Sequence, residues 1–498
     1  MNTLPWRILI RKGEKMRKKR AVIIAALVTL LFSTIALPYN NEAIEGIWQG
    51  TLKAGAIELR IVFKLSQGPE GILSATMDSP DQGAKDIPVD EVIFENGNLR
   101  LEIKVAMGVF EGKLRDDNLS IEGEWKQSGQ SFPLVLERVD EVVELLRPQE
   151  PKKPYPYQEE KVVYENKKAA IKLAGTLTIP GQEGPFPAVL LISGSGPQDR
   201  DETLLGHRPF LVLADYLTHR GIVVLRVDDR GIGESTGDFA QATSEDFASD
   251  VLAGLEYLKS REEINPKQIG LIGHSEGGII APMVAVQSSD VAFIILMAGT
   301  GLTGEDILYL QTELIARAEG VSDEVIAKNL SLQEQMFTIV KEEKDSISAE
   351  KRLRTILEDA ISELELSEKE RQTAEAKAEA QIKSILSPWF RYFLTYNPSP
   401  TLTKVKCPVL AINGEKDLQV PPKENLAAIE EALKAGGNNS YTIKELSGLN
   451  HLFQTAETGS LSEYAKIEET ISPTALKIMS DWILEQTEDK SIPDCGCQ

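Results

Sequence analysis

The stretch IGLIGHSEGG, residues 269–278, decides how this chain is read. A short apolar run ends in Gly273-His274-Ser275-Glu276-Gly277, and small apolar residues follow. Ser275 is either a catalytic nucleophile or a serine in an ordinary tight turn. With glycine and serine each near 7% of residues, chance gives G-x-S-x-G about one time in ten in a chain of this length. The surrounding sequence has to decide.

Around this stretch, short apolar runs alternate with helical patterns. PAVLLIS (187–193), GIVVLRVD (221–228), IGLIG (269–273), AFIILMAG (292–299) and PVLAING (408–414) read as strands, most of them buried on both faces. RPFLVLADYLTHR, SEDFASDVLAGLEYLKS and KENLAAIEEALKAGG read as helices between them. This alternation predicts an α/β domain over residues 161–486, with a mainly parallel sheet and helices on both faces. Residues 302–397 interrupt it. They are helical and highly charged, carry no buried-strand signal, and end in the aromatic SPWFRYFLTY. They read as a helical lid inserted into the domain.

Upstream the rhythm is different. Over residues 43–140, runs such as GAIELRIVFKLS, LRLEIKV, LSIEGEW and FPLVLERV alternate with a period of two, separated by turn signals such as ENGN and RDDN. This predicts a small antiparallel β-sandwich or barrel. It has no histidine or cysteine, so it reads as a packing or positioning module. RPQEPKKPYPYQEE (147–160) reads as a semi-rigid linker. Residues 487–498 read as a flexible tail, with Cys495 and Cys497 as incidental thiols.

Composition narrows the function classes. The 498 residues carry a formal net charge of -22, which disfavours nucleic acid and anionic lipid. Three cysteines exclude a disulfide framework or a four-cysteine zinc site within one chain. At the N-terminus KMRKKR precedes AVIIAALVTLLFSTIAL (21–37), the pattern of a secretory signal or of an uncleaved anchor. Either way the expectation is an exported protein, periplasmic or extracellular. Contact with a membrane is expected only through residues 1–37, if they stay attached.

A serine hydroxyl needs a base beside it, most often histidine. The chain has four histidines. His274 adjoins Ser275 on the same turn, so its side chain should diverge from the hydroxyl. His219 ends a helical pattern, where a cation suits the helix dipole. His207, in LLGHRPF, is placed to line the mouth of a pocket. His451, in SGLNHLF after the strand-like YTIKEL, stands as the last member of a Ser…Asp…His order. The acid that orients it is expected just after the strand of PVLAINGEKDLQVPP, with Asp417 preferred and Glu415 the alternative. The first oxyanion donor is the N–H of Glu276, at the start of a helix. The second is expected from LLISGSGPQDRDE, at Ser195 or at Gly194. No pattern calls for a metal or an organic cofactor.

Taken in order, SGSGPQDRDE, VLRVDDRGIGES, GHSEGG, NGEKDLQVPP and GLNHLF resemble the α/β-hydrolase superfamily over residues 161–486. The glycine loop with a leading β-domain is similar to exported bacterial serine esterases related to the serine aminopeptidase and prolyl-oligopeptidase branches. The resemblance implies Ser275, Asp417 and His451 as a catalytic triad. Many relatives have histidine where this chain has Ser193. The function implied first is a carboxylesterase acting on a small-molecule ester of small to medium size. A serine peptidase on the same triad is the alternative, and a non-catalytic cell-envelope binding protein the remoter one. Trp389, Phe390 and Phe393 either face an acyl pocket or form the core of the lid.

Overall fold

The computed structural model describes residues 43–488, apart from 55–56, 69–71, 83, 128–129, 143–145 and 365. Residues 1–37, where the sequence predicts an export signal or anchor, and Cys495 and Cys497 lie outside the described residues. The chain divides into two units, with the break at residues 143–144 and residues 80–84 grouped with the second unit.

The first unit is a meander. Its strands β1 to β9 are Gly46–Ala54, Ile57–Gln67, Leu73–Ser79, Ala84–Pro88, Glu91–Glu95, Asn98–Ile103, Gly108–Leu114, Ser120–Gln127 and Gln130–Val139. They form one sheet in the order β4-β3-β2-β1-β9-β8-β7-β6-β5. Near its ends β3 and β5 touch, so the sheet wraps around its own core. The period of two turns one side of each strand inward. Trp48, Phe63, Leu99, Leu101, Phe110 and Trp125 fill the interior. The indole N–H of Trp48 donates to the carbonyl of Ile44 at 2.8 Å, so its one polar atom is satisfied in the dry core.

The second unit is built on eight strands: β10 (Gln158–Asn166), β11 (Ile171–Ile179), β12 (Phe186–Ile192), β13 (Val223–Val227), β14 (Ile264–His274), β15 (Phe293–Met297), β16 (Val409–Gly414) and β17 (Tyr441–Leu446). Their order is β10-β11-β13-β12-β14-β15-β16-β17. From β13 to β17 every pairing is parallel, while β10 and β11 pair antiparallel at one edge. The sheet therefore extends back into the stretch read as a linker. Only alternate residues of the second half of β10 are buried. Such an edge strand lacks the continuous apolar run that marks the central ones.

Helices α1 (Pro209–His219), α2 (Ser244–Lys259) and α3 (Gly277–Ala285) follow β12, β13 and β14. Asp246 closes a capping box on Thr243 at the start of α2. Between β15 and β16 the insertion forms α4 (Gly304–Ala318), α5 (Asp323–Glu342), α6 (Ser346–Ser362), α7 (Glu368–Ile385), α8 (Pro388–Thr395) and α9 (Ser399–Leu402). Helices α10 (Pro422–Ala435), α11 (Leu461–Tyr464) and α12 (Pro473–Thr487) complete the unit. Among the described residues, no helix is long and apolar enough to cross a membrane.

Candidate active site

Strand β14 ends at His274 and α3 starts at Gly277, so the chain reverses direction within two residues. Ser275 takes the left-handed conformation, with φ of 54°. A side chain held there costs about 1–3 kcal/mol, a strain typical of functional turns. The two glycines of G-x-S-x-G make this turn possible. A Cβ on Gly273 would lie 2.0 Å from the carbonyl oxygen of Gly277, and one on Gly277 would lie 2.3 Å from that of Ile192.

His451 and Asp417 come from the loops after β17 and β16, at the carboxyl ends of the parallel strands. The His451 Nδ1–H donates to Asp417 Oδ2 at 2.7 Å, and both residues are buried. Asp417 Oδ1 accepts from the backbone N–H groups of Gln419 and Val420, each at 2.8 Å. The carboxylate is thus fixed by its own loop. With Nδ1 carrying the proton, His451 Nε2 is left as a base. Glu415, two residues before Asp417, turns to solvent and accepts from Ser447 Oγ and the Gly448 N–H.

Ser275 and His451 are linked through His274, the last residue of β14. His274 Nε2 donates to the carbonyl of His451 at 3.1 Å, and the two imidazole rings lie 4.9 Å apart. No described hydrogen bond runs directly from Ser275 Oγ to His451. Such bonds often form only around substrate.

The oxyanion side is made by the elbow and the loop after β12. No described group accepts from the N–H of Glu276 or of Ser195, and Glu276 begins the α3 end of the turn. Gly194 is different. Its N–H donates to Glu202 Oε1 at 2.7 Å. That bond corrects the expectation of Gly194 as an oxyanion donor, because its proton is already taken. The loop is held from a second side by Asp229, which accepts from Ser193 Oγ at 2.9 Å and from the Gln198 N–H at 3.0 Å.

His207 does not line a pocket mouth. It is fully buried, with Nδ1 3.0 Å from Thr470 Oγ1 and Nε2 3.0 Å from the carbonyl of Tyr464. Burial, with Arg147 nearby, lowers its pKa to about 4, so it is a neutral packing residue. The sequence signal missed this because a histidine before a helix reads the same whether it faces a pocket or a core. Phe390 packs on Phe337 of α5, which puts it in the core of the insertion. Trp389 stacks on Phe393 with ring centres 5.1 Å apart. Its indole N–H reaches the main body and donates to Glu276 Oε1 at 2.8 Å.

Three carboxyl groups are buried around the elbow, Glu202, Glu276 and Asp417, and that of Asp229 is half-buried beside them. Burial pushes Asp229 up to about 8, helped by the nearby Glu276 and Glu202. Burial likewise raises Glu276, against the donors Ser244 and Trp389. For His274, burial works against the charged form, but the Glu202 carboxylate at 2.9 Å outweighs it and raises the pKa. A cavity of about 50 Å³ beside Ser193, Gly194, Asp229 and Glu276 suits a water or two rather than an acyl group.

Residues 169–446 match the family model of the X-Pro dipeptidyl-peptidase (S15) family. This chain belongs to that family. An esterase of Thermotoga maritima, EstD, is 26% identical over 295 residues, which are 59% of this chain and 61% of that protein's own length. The fold is that of the α/β-hydrolases. Among solved structures, the esterase Pf2001 of Pyrococcus furiosus is 14% identical, with a TM-score of 0.41 over 70% of this chain and all of that one. Est1E of Butyrivibrio proteoclasticus, solved with ferulic acid, is 16% identical, with a TM-score of 0.38 over 65% of this chain and 98% of its own.

Proposed function

We propose that this protein is a serine hydrolase that forms an acyl-enzyme on Ser275. The observation that carries the reading is the Asp417–His451 pair beside a strained serine elbow. His451 Nε2 takes the proton of Ser275 Oγ as the oxygen attacks the carbonyl carbon of the substrate. Asp417 stabilises the imidazolium that forms and keeps Nδ1 as the donor. The N–H groups of Glu276 and Ser195 receive the oxyanion. His451 then returns its proton to the leaving group, and water, activated the same way, releases the acid. All the charge that develops is met by side chains and backbone of this chain.

The bond cleaved is, in this reading, a peptide bond near an amino terminus. Membership of the X-Pro dipeptidyl-peptidase family supports it and reverses the order reached from sequence, where the ester came first. A carboxylic ester remains the second reading, favoured by the identity to an esterase. The same triad serves both bonds. An amine is a far poorer leaving group than an alcohol, so only a peptidase must protonate it well. Comparing an Xaa-Pro nitroanilide with a nitrophenyl butyrate separates them. Measurable turnover of the anilide, lost in Ser275→Ala, supports the peptidase. Ester turnover with no anilide turnover supports the esterase. Export through residues 1–37 belongs to the same proposal, and N-terminal sequencing of the protein from its native host tests it.

A further inference from the structure

We propose that Glu202 and His274 are positioning residues that lock the oxyanion loop and the catalytic histidine into one unit, a role that rests on Ser275 being the nucleophile. Both side chains are buried, at 3% and 5% exposure. Glu202 Oε1 accepts two hydrogen bonds, from the Gly194 N–H at 2.7 Å and from His274 Nδ1 at 2.9 Å. The other ring nitrogen of His274 donates to the carbonyl of His451 at 3.1 Å. A single path of hydrogen bonds therefore runs from the glycine loop, under Ser275, to the backbone of the proposed base.

The path touches the reacting region at both ends. A Cβ on Gly194 would lie 3.3 Å from Ser275 Cβ and 3.5 Å from His274 Nδ1, so the loop is packed directly on the elbow. Ser195, the next residue, is the proposed oxyanion donor. A carbonyl can only accept, so His274 Nε2 must carry a proton. Glu202 faces the second nitrogen, and a carboxylate there also accepts, so His274 is an imidazolium with both protons committed. Glu202 itself sits at φ of 52°, a conformation rare for a side chain. Backbone held in such a place is usually fixed by the site it serves. Neither residue is placed to reach the substrate carbonyl by any bond described, so they act through Gly194 and His451.

Misplacing a donor by about 1 Å costs on the order of 10²-fold in rate. In the full-length protein, Glu202→Ala should lower kcat about 100-fold on whichever nitrophenyl or nitroanilide substrate the parent turns over, with KM within about threefold. Glu202→Gln keeps Oε1 as an acceptor for both Gly194 and His274 Nδ1 and removes only the charge, and should restore at least about tenfold of that loss. A kcat for Glu202→Ala within threefold of the parent overturns the proposal while leaving Ser275 as the nucleophile. A Gln variant no better than the Ala variant also overturns it. Nitrogen-15 spectra of histidine-labelled parent protein need no variant to fold. Two slowly exchanging ring N–H protons on His274 at neutral pH are expected, and ring protons exchanging as in free histidine contradict the proposal. A parent that neither turns over substrate nor reacts with a fluorophosphonate defeats the reading of Ser275, and the positioning role falls with it.

Discussion

Asp417 and Glu415 stand two residues apart in one loop, yet only one of them meets the histidine. The difference follows from backbone: two N–H groups of the turn aim at Asp417 and hold it in the interior. Asp417→Asn should therefore leave the fold intact and lower kcat about 10⁴-fold, by favouring the wrong tautomer of His451. Glu415→Gln should stay within about twofold; steady-state kinetics on both variants checks this pair. Asp229 offers a test by pH. Its pKa rises from 3.8 to about 8 in the folded protein. Between those values the folded state keeps a proton that the unfolded chain has lost. This contribution to stability is thus full below about pH 4 and declines as pH climbs toward 8. Asp229→Asn should shrink the difference between urea midpoints taken near pH 5 and pH 8, and an unchanged difference contradicts the assignment. Ser275 and Asp417 stand out in the sequence because each follows a buried apolar run, whereas His451 follows the half-exposed strand β17 and is picked out by its order after them. Glu202 is not. It lies in an acidic loop where any of Asp199, Asp201 and Glu202 reads as solvated, and only the tertiary fold selects the one turned inward.

The elbow is an element as much as a residue. β14, Ser275 and α3 fit together only because nothing larger than hydrogen occupies the inner positions of the turn. Gly273→Ala should destabilise the protein by about 3 kcal/mol, the upper range for forcing an atom into a packed interior. Thermal unfolding of that variant measures it, and a melting temperature equal to the parent's contradicts the close approach. Helix α8 is tied to the elbow by the bond from Trp389 to Glu276. Trp389→Phe keeps the ring stacked on Phe393 but removes one of the two donors to a buried carboxyl, Ser244 being the other, at a cost of about 1 kcal/mol. Faster hydrogen exchange across α8 in this variant is the expected readout. The helical character of residues 302–397 is readable from charge and periodicity. The tie is not, since an indole N–H has no partner that a linear sequence can name. Edge strand β10 is hidden for the opposite reason: six of its nine residues face water, so its start reads as linker.

At the scale of the whole molecule, two units each carry a hydrophobic core of their own. Trp48 and Trp125 are at 0% and 2% exposure inside the first. A fragment spanning residues 43–142 should fold cooperatively alone, with tryptophan emission shifted to the blue and red-shifting in one step with urea. Emission typical of exposed tryptophan in buffer would deny the unit its independent core. The change from period-two alternation to buried runs separates the two units in the sequence itself, while the closing approach of β3 and β5 depends on twist that no pattern encodes. The family match lies wholly within the second unit, and so does every residue of the proposed site. The central claim is that this unit acts through Ser275. A fluorophosphonate probe with peptide mass mapping tests it most directly. One adduct per chain, on Ser275 and absent from Ser275→Ala, is the predicted result; a folded protein that takes no label, or takes it elsewhere, contradicts the account.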